Sequence, residues 1–310
     1  MSAKLTSAFN IGAAVRNTGI AQSRNMGATV MYIAVPEDKK FTQSDLDDFE
    51  AAITAMLHAP QKDRAYPLFG YAFPVEDLTA GKADNVTETM ANGNIKFIRY
   101  SFMDETLITS YGSIPYAKRL RSFLECGLSL IKVDGSGNVL LRKNEDGTWS
   151  GLKTKTWIPN TPDPADFKAV SKMGLRTVIH PDEVVVYGDI RLGGQPLLDL
   201  IGLKDIALSS AAAATTTKLK IAVKTVDSDI DLVDLLGADL AQVSNFVVTN
   251  KATGAGITPS AAGIVSGHIE LTGTYTTGTV VNVTMSSSDT LFTNGVEGYE
   301  GTVSVDITIP

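Results

Sequence analysis

Apolar and polar positions along the chain follow two different periods, and each predicts its own kind of element. Residues 29–35, TVMYIAV, form a β-rich apolar run stopped by Pro36, which predicts a buried strand. From Thr42 the period lengthens: Leu46, Phe49, Ile53, Met56 and Leu57 recur at helical spacing. Ser44 can cap that helix, and Asp45, Asp47, Asp48 and Glu50 suit the positive end of its dipole, so one amphipathic helix ending near Pro60 is expected. Residues 61–94 scatter glycines, prolines and charges around short apolar pieces and read as a long, contact-making excursion with at most weak strands. Residues 95–102 and 105–111, joined by Met103-Asp104, predict a hairpin. A second short helix is expected at 116–126, opened by Ile114-Pro115 and stopped by Gly127, with Leu120, Phe123 and Leu124 on one side. Residues 128–134 and 139–143 flank Gly135-Ser136-Gly137-Asn138 and make the clearest hairpin in the chain; further strands are expected at 176–180 and 183–187.

Beyond residue 217 alternation dominates. Segments 218–226, 245–249, 267–274, 279–285 and 302–309 alternate apolar with polar residues, and Thr253-Gly254, Thr277-Gly278 and Asn294-Gly295 supply turns between some of them. Short strands at this density predict an immunoglobulin-like sandwich. Residues 207–217, ALSSAAAATTT, carry small side chains that bury little and read as a linker. Residues 1–28 are polar and rich in small residues, with Gly12, Gly19 and Gly27, and read as an extended arm that can order on a neighbouring subunit. The expected fold is therefore mainly β: an α+β barrel or sandwich with one or two helices over 29–206, a linker at 207–217 and an immunoglobulin-like sandwich over 218–310.

Composition narrows the function. The 310 residues include 27 basic and 34 acidic side chains, a formal net charge of -7, and 44% are apolar, as in soluble multidomain chains. No apolar run approaches the ~20 residues that span a bilayer, so no membrane partner is expected. The N-terminal segment lacks a signal-like apolar stretch, which predicts a protein that is not exported through its own signal. A single cysteine, Cys126, excludes an intrachain disulfide and a thiolate metal cluster, and reads as a small core residue. The last 100 residues hold 4 basic and 10 acidic side chains, and no Lys or Arg follows Lys251. With so few cations to neutralise phosphate, that region is not expected to grip DNA.

Candidate chemistry is sparse. His58, His180 and His268 fall in three separate predicted elements, and no His-Glu-x-x-His occurs. Asp227, Asp229, Asp231 and Asp234 are spaced like calcium ligands, but the central Gly and the closing Glu are missing and Ile230 and Leu232 alternate with them, so an exposed strand face is expected. Gly135–Asn138 and Gly193-Gly194 follow no phosphate-cradling spacing and read as turns. Lys118, Arg119 and Arg121 form the one basic patch, read as a solvated or intersubunit face. Asn85-Val-Thr87 and Asn282-Val-Thr284 match glycosylation sequons by chance in a chain without an export signal. No catalytic residue, cofactor site or metal site is expected, and an enzyme is the least favoured class.

The layout of arm, strand-rich first domain with one main helix, Ala/Thr linker and acidic immunoglobulin-like module resembles major tail tube proteins of long-tailed bacteriophages. Phe246-Val-Val-Thr-Asn-Lys251, Val280-Val-Asn-Val-Thr284 and Val303-Ser-Val-Asp-Ile-Thr-Ile309 are similar to immunoglobulin-like domains of virion proteins. In the first domain, Leu128-Ser-Leu-Ile-Lys-Val-Asp-Gly-Ser-Gly-Asn-Val139 and Asp146-Gly-Thr-Trp-Ser-Gly-Leu152 look like segments of phage structural proteins. The resemblance implies a virion protein assembled in the host cytoplasm, homo-oligomeric in rings of six that stack through the arm at 1–28 and the loop at 61–94. Other virion proteins would be partners, and DNA would pass without sequence-specific binding through a lumen of little positive charge. A capsid or head-decoration protein is the main alternative, although the expected helices are short for a capsid spine. A bacterial adhesin or pilus subunit is the more distant one, for want of an export signal.

Overall fold

A computed structural model describes residues 6–7, 26–70, 74–81, 86–91, 93–99, 102–109, 120–121, 127–160, 173–185, 187–193, 195–226 and 228–310. The chain is mainly β and divides into two units, Met1–Ile201 and Gly202–Pro310.

The first unit is organised around β8 (Leu128–Asp134). One edge of β8 pairs along its length with β2 (Thr29–Pro36), Ile33 opposite Ile131. The other edge is shared: β9 (Val139–Lys143) takes Lys132 and Val133, while β11 (Leu152–Asn160) takes Ser129 and Leu130. The sheet therefore branches and curls into a half-barrel of eleven strands. One branch continues from β9 to β13 (Gly188–Leu192) and β1 (Thr6–Ser7), with the short β10 (Trp149–Ser150) beside β9. The other continues from β11 to β12 (Met173–Ile179), β7 (Met103–Thr109) and β4 (Asp77–Gly81); β3 (Tyr66–Phe69) flanks β2. Gly151, between β10 and β11, lets the chain step from β9 to β8, because a Cβ there would collide with Ser129 Oγ.

Period-2 alternation sends β2 and β8 side chains into two cores. Tyr32, Ala34 and Leu130 face Leu107 and Leu175 inside the curl. Met31, Ile33, Val35, Ile131 and Val133 face the helices on the other side. Both faces being covered, β2 is buried almost throughout, which is why it reads as a continuous apolar run. The expected single helix is two, α1 (Gln43–Asp47) and α2 (Phe49–Leu57). Its cap is Thr42, not Ser44, which already lies in the first turn: Thr42 Oγ1 accepts from the Asp45 amide at 3.3 Å, and Asp45 Oδ2 accepts from the Thr42 amide at 2.7 Å. Asp48 breaks the run with φ -140° and ψ 65°, and its carboxylate accepts from the Ala51 amide to start α2.

Several expectations are corrected in this unit. Among its described residues the 61–94 excursion supplies three strands, β3, β4 and β5 (Val86–Thr89). The 95–111 hairpin does not form: β6 (Ile95–Arg99) pairs with β5, and β7 lies between β4 and β12, where Leu107 is fully buried. Local adjacency predicted one pairing and core burial selected another. The described residues of 183–187 are not a strand; Pro181 at a first helical position, with Asp182 and Glu183 in the first turn, starts α3 (Pro181–Val185). Of the helix expected at 116–126, only Leu120 and Arg121 are among the described residues; both are helical and Leu120 is buried. Most of the 1–28 arm lies outside the described residues, but β1 pairs antiparallel with β13 of the same chain.

The second unit is a two-sheet sandwich with one shared core. One sheet runs β18 (Ala261–Val265), β19 (His268–Thr272), β15 (Lys218–Thr225), β14 (Lys204–Ser210), β21 (Tyr299–Val303); the other runs β17 (Gly256–Ile257), β16 (Phe246–Asn250), β20 (Val280–Met285), β22 (Val305–Thr308). With the two-residue β17 and the added edge strand β21 left uncounted, the remaining seven strands follow the immunoglobulin order, the first, second, fifth and fourth on one sheet and the third, sixth and seventh on the other. The expected last strand is two, since the chain changes sheets at Ser304, and β21 pairs parallel with β14. Tyr275, between β19 and β20, is 2% exposed and donates its hydroxyl to the Leu271 carbonyl at 3.3 Å, the tyrosine corner of this fold. Burial pushes its pKa up to about 12, so the donor stays protonated.

The expected linker at 207–217 is part of this sandwich. Residues through Ser210 belong to β14, held between β15 and β21, and Ala214 is buried in the core. Pairing with β15 from Ala207 to Ser210, and with β21 at Ala207, overrides the weak strand propensity of a small-residue run. The unit boundary falls at Ile201, not within 207–217. The aspartate run is not an exposed strand face either: Asp229 has φ 52°, and Asp231 caps α4 (Leu232–Leu236), accepting from the Val233 amide at 2.9 Å. The last helix, α5 (Ser288–Thr293), is capped by Ser287, which accepts from the Thr290 amide.

Candidate functional site

The three histidines take separate structural positions. His58 closes α2, its amide bonded to the Met56 carbonyl. His180 follows β12, with Nδ1 3.4 Å from Asp182 and its ring 5.5 Å from that of Phe102. His268 opens β19, its Nδ1 buried. Among the described residues, no group of three or more His, Cys, Asp or Glu side chains could hold a metal ion, and no helix is long and apolar enough to cross a membrane. Lys118, Arg119 and Cys126 lie outside the described residues.

The strongest convergence of polar side chains lies inside the curled sheet, where two cross-strand pairs face each other. Tyr32 on β2 stands opposite Lys132 on β8, and Glu105 on β7 stands opposite Thr177 on β12. Glu105 Oε2 accepts from the Tyr32 hydroxyl at 2.7 Å and from Lys132 Nζ, and Oε1 accepts from Thr29 Oγ1 at 3.0 Å. Thr177 Oγ1 lies 3.1 Å from the Tyr32 hydroxyl. Side-chain exposure is 6% for Lys132 and 12% for Glu105, so the ion pair is shielded from water and its charges answer each other across the curl. Burial, and then the charge of Glu105, push the Tyr32 pKa well above its ordinary value and keep the phenol a donor. Both Glu105 oxygens are engaged by protein donors. The chemistry available to this cluster is cohesion between two walls of the half-barrel.

Two further clusters tie the branch strands together. Asp189 Oδ2 accepts from Trp149 Nε1 at 2.8 Å and Arg191 Nε at 3.0 Å, and the Arg191 guanidinium lies 4.5 Å from the Trp149 ring centroid. Arg142 pairs with Glu183 and lies over Tyr187, while Glu183 Oε2 accepts from the Lys153 amide at 3.1 Å, joining α3 to β9 and β11. No sequence pattern marks these residues as a site. Their partners lie up to 145 positions apart, and the only local signal was a charge inside an apolar strand, Lys132 in LSLIKVD.

The first unit also carries a feature that its own sheet does not absorb. β5 and β6 form a separate two-stranded sheet, closed by the bonds Met90 N to Asn94 O and Gly93 N to Met90 O, both 2.8 Å. Beside that turn, Met90 is 47% and Ile95 72% exposed. A lone two-stranded ribbon is marginal in water, and apolar side chains at its tip gain by being covered.

No protein-family model, no curated protein and no solved structure matches the chain.

Proposed function

We propose that this chain is a virion structural protein, the major tail tube subunit of a long-tailed bacteriophage, which self-assembles into stacked rings around a DNA conduit. The observation that carries the reading is the β5–β6 ribbon with Met90 and Ile95 exposed at its tip. Its first strand and its turn, with Met90, lie in the 61–94 stretch that the resemblance to tail tube proteins assigns to contacts between rings, Ile95 follows directly after it, and the ribbon has the physical character of a segment completed by a neighbour. The immunoglobulin-like unit agrees with the module that some tail tube proteins carry on the tube exterior. Met90→Lys with Ile95→Lys tests the reading in sedimentation velocity of the full chain. The expected result is loss of the large assembled species with unchanged hydrogen-exchange protection of β2 and β8. Assembly at the wild-type level would overturn it.

A further inference from the structure

A sheet edge is a row of backbone donors and acceptors open to another strand, and proteins blunt such edges with charge, proline or shortness. Among the described edge strands, β1, β10 and β17 are two residues long. Pro67 lies in β3, while Asp77, Glu88, Lys96, Glu300 and Asp306 lie in β4, β5, β6, β21 and β22. β18 has none of these devices. Its five residues, Ala261-Ala262-Gly263-Ile264-Val265, are all neutral, its one strand partner is β19, and Ile264 and Val265 are 44% and 38% exposed. Glu270, opposite Gly263 on β19, is matched by Lys218 Nζ at 2.7 Å.

We infer that β18 is a homotypic docking edge: two copies of the chain pair their β18 strands antiparallel about a twofold axis at Gly263, fusing two five-stranded sheets into one. The occupant follows from the strand's own sequence. An antiparallel register centred on Gly263 sets Ile264 opposite Ala262 on the core-side face and Val265 opposite Ala261 on the outer face, large against small in every cross-strand pair. The two Gly263 residues meet at the axis with no side chain between them. No charge on either strand opposes the approach. A one-residue shift would join the core-side face of one sheet to the outer face of the other, setting Ile264 beside outward-facing residues of the second copy, so the register is specified. Because the same patch serves both copies, the contact closes on itself and joins modules in pairs, not in an open fibre.

Five residues bury less than the ~1,000 Å² typical of a stable dimer. The contact therefore gains its occupancy when other surfaces already hold the subunits close and raise the effective concentration. In strength, though not in register, it rests on the self-assembly reading above.

The test uses the full chain with Cys126→Ser and Gly263→Cys, which leaves one thiol per subunit at the axis. A Cβ at Gly263 meets nothing within 4 Å, so the variant is accommodated. Residues directly opposite on antiparallel strands bring such thiols within disulfide reach. The control is Cys126→Ser with Thr253→Cys, an exposed turn position next to the other sheet. After mild air oxidation each sample is run on a non-reducing gel and imaged in negative stain. The expected result is a covalent dimer for Gly263→Cys, about tenfold weaker in the control and weakened about tenfold by adding Ile264→Lys, equivalent to about 1.4 kcal/mol in each case. Particles without the dimer would overturn the docking edge and leave the assembly reading standing. The dimer without particles would uphold the edge and overturn the assembly reading. Neither product, or equal cross-linking in the control, would overturn the edge.

Discussion

The two units solve the same problem, burying both faces of β-sheets, with different chemistry. The second unit fills its sandwich with Leu, Ile and Val, and its buried Glu270 reaches a partner, Lys218, that is half exposed. The first unit seals an ion pair and two hydroxyls inside its curl and stacks Arg191 on Trp149 beneath Asp189. A sandwich of two sheets is registered by side-chain shape alone, since alternation decides which face points inward. A single sheet that curls on itself has to fix how far it curls. Charges that must meet across the opening define that distance, at a cost in desolvation that an apolar core would avoid.

The largest expected effect separates the units on this point. Lys132→Ala leaves Glu105 charged and buried, and should destabilise the first unit by about 3–5 kcal/mol, read as lost hydrogen-exchange protection in β2, β7 and β8. Protection in β15 and β20 should not change. If Lys132→Met with Glu105→Leu recovers most of the loss, the pair sets geometry and contributes little net stability; if it recovers none, the pair is a true source of stability. In the second unit, Leu271→Ala removes a fully buried side chain and should cost about 2–5 kcal/mol through the cavity it leaves, with protection lost across both sheets of the sandwich and none lost in β8. Tyr275→Phe deletes one hydrogen bond and keeps the ring, so about 1 kcal/mol is expected by denaturant titration.

The smallest effect concerns acid. Burial alone would raise the Asp134 pKa, but the Asn138 side chain and the amides of Gly27, Asn138 and Ser136 donate to its carboxylate and hold it below the ordinary 3.8. A group depressed in the folded state stabilises above its unfolded pKa and loses that contribution as pH falls through the folded value. Asp134→Asn should therefore weaken the β8–β9 turn at pH 7 and flatten the stability profile below about pH 4. An unchanged profile would remove Asp134 from the account.

Elements with a local cause were legible in the sequence. TVMYIAV declared β2, the Gly135–Asn138 turn declared β8 and β9, and alternation after Lys218 declared most of the sandwich. Elements decided by distant partners were not. ALSS looked like a connector because its side chains are small, and became the second half of β14 because β15 pairs along it and Leu208 is buried. Residues 95–102 and 105–111 looked like a hairpin because they adjoin, and were separated because β7 is drawn into the core. The Glu105–Lys132–Tyr32 cluster was invisible because its three strands meet only after the sheet curls. Tyr275 carried a local signal, an aromatic three residues after β19 and just before the next alternating segment, the place of a corner.

The most direct measurement is negative-stain electron microscopy of the purified full-length chain. Six-membered rings or hollow tubes are the expected result. Closed shells would move the protein to the capsid class, and a uniform field of single subunits at high concentration would contradict self-assembly outright.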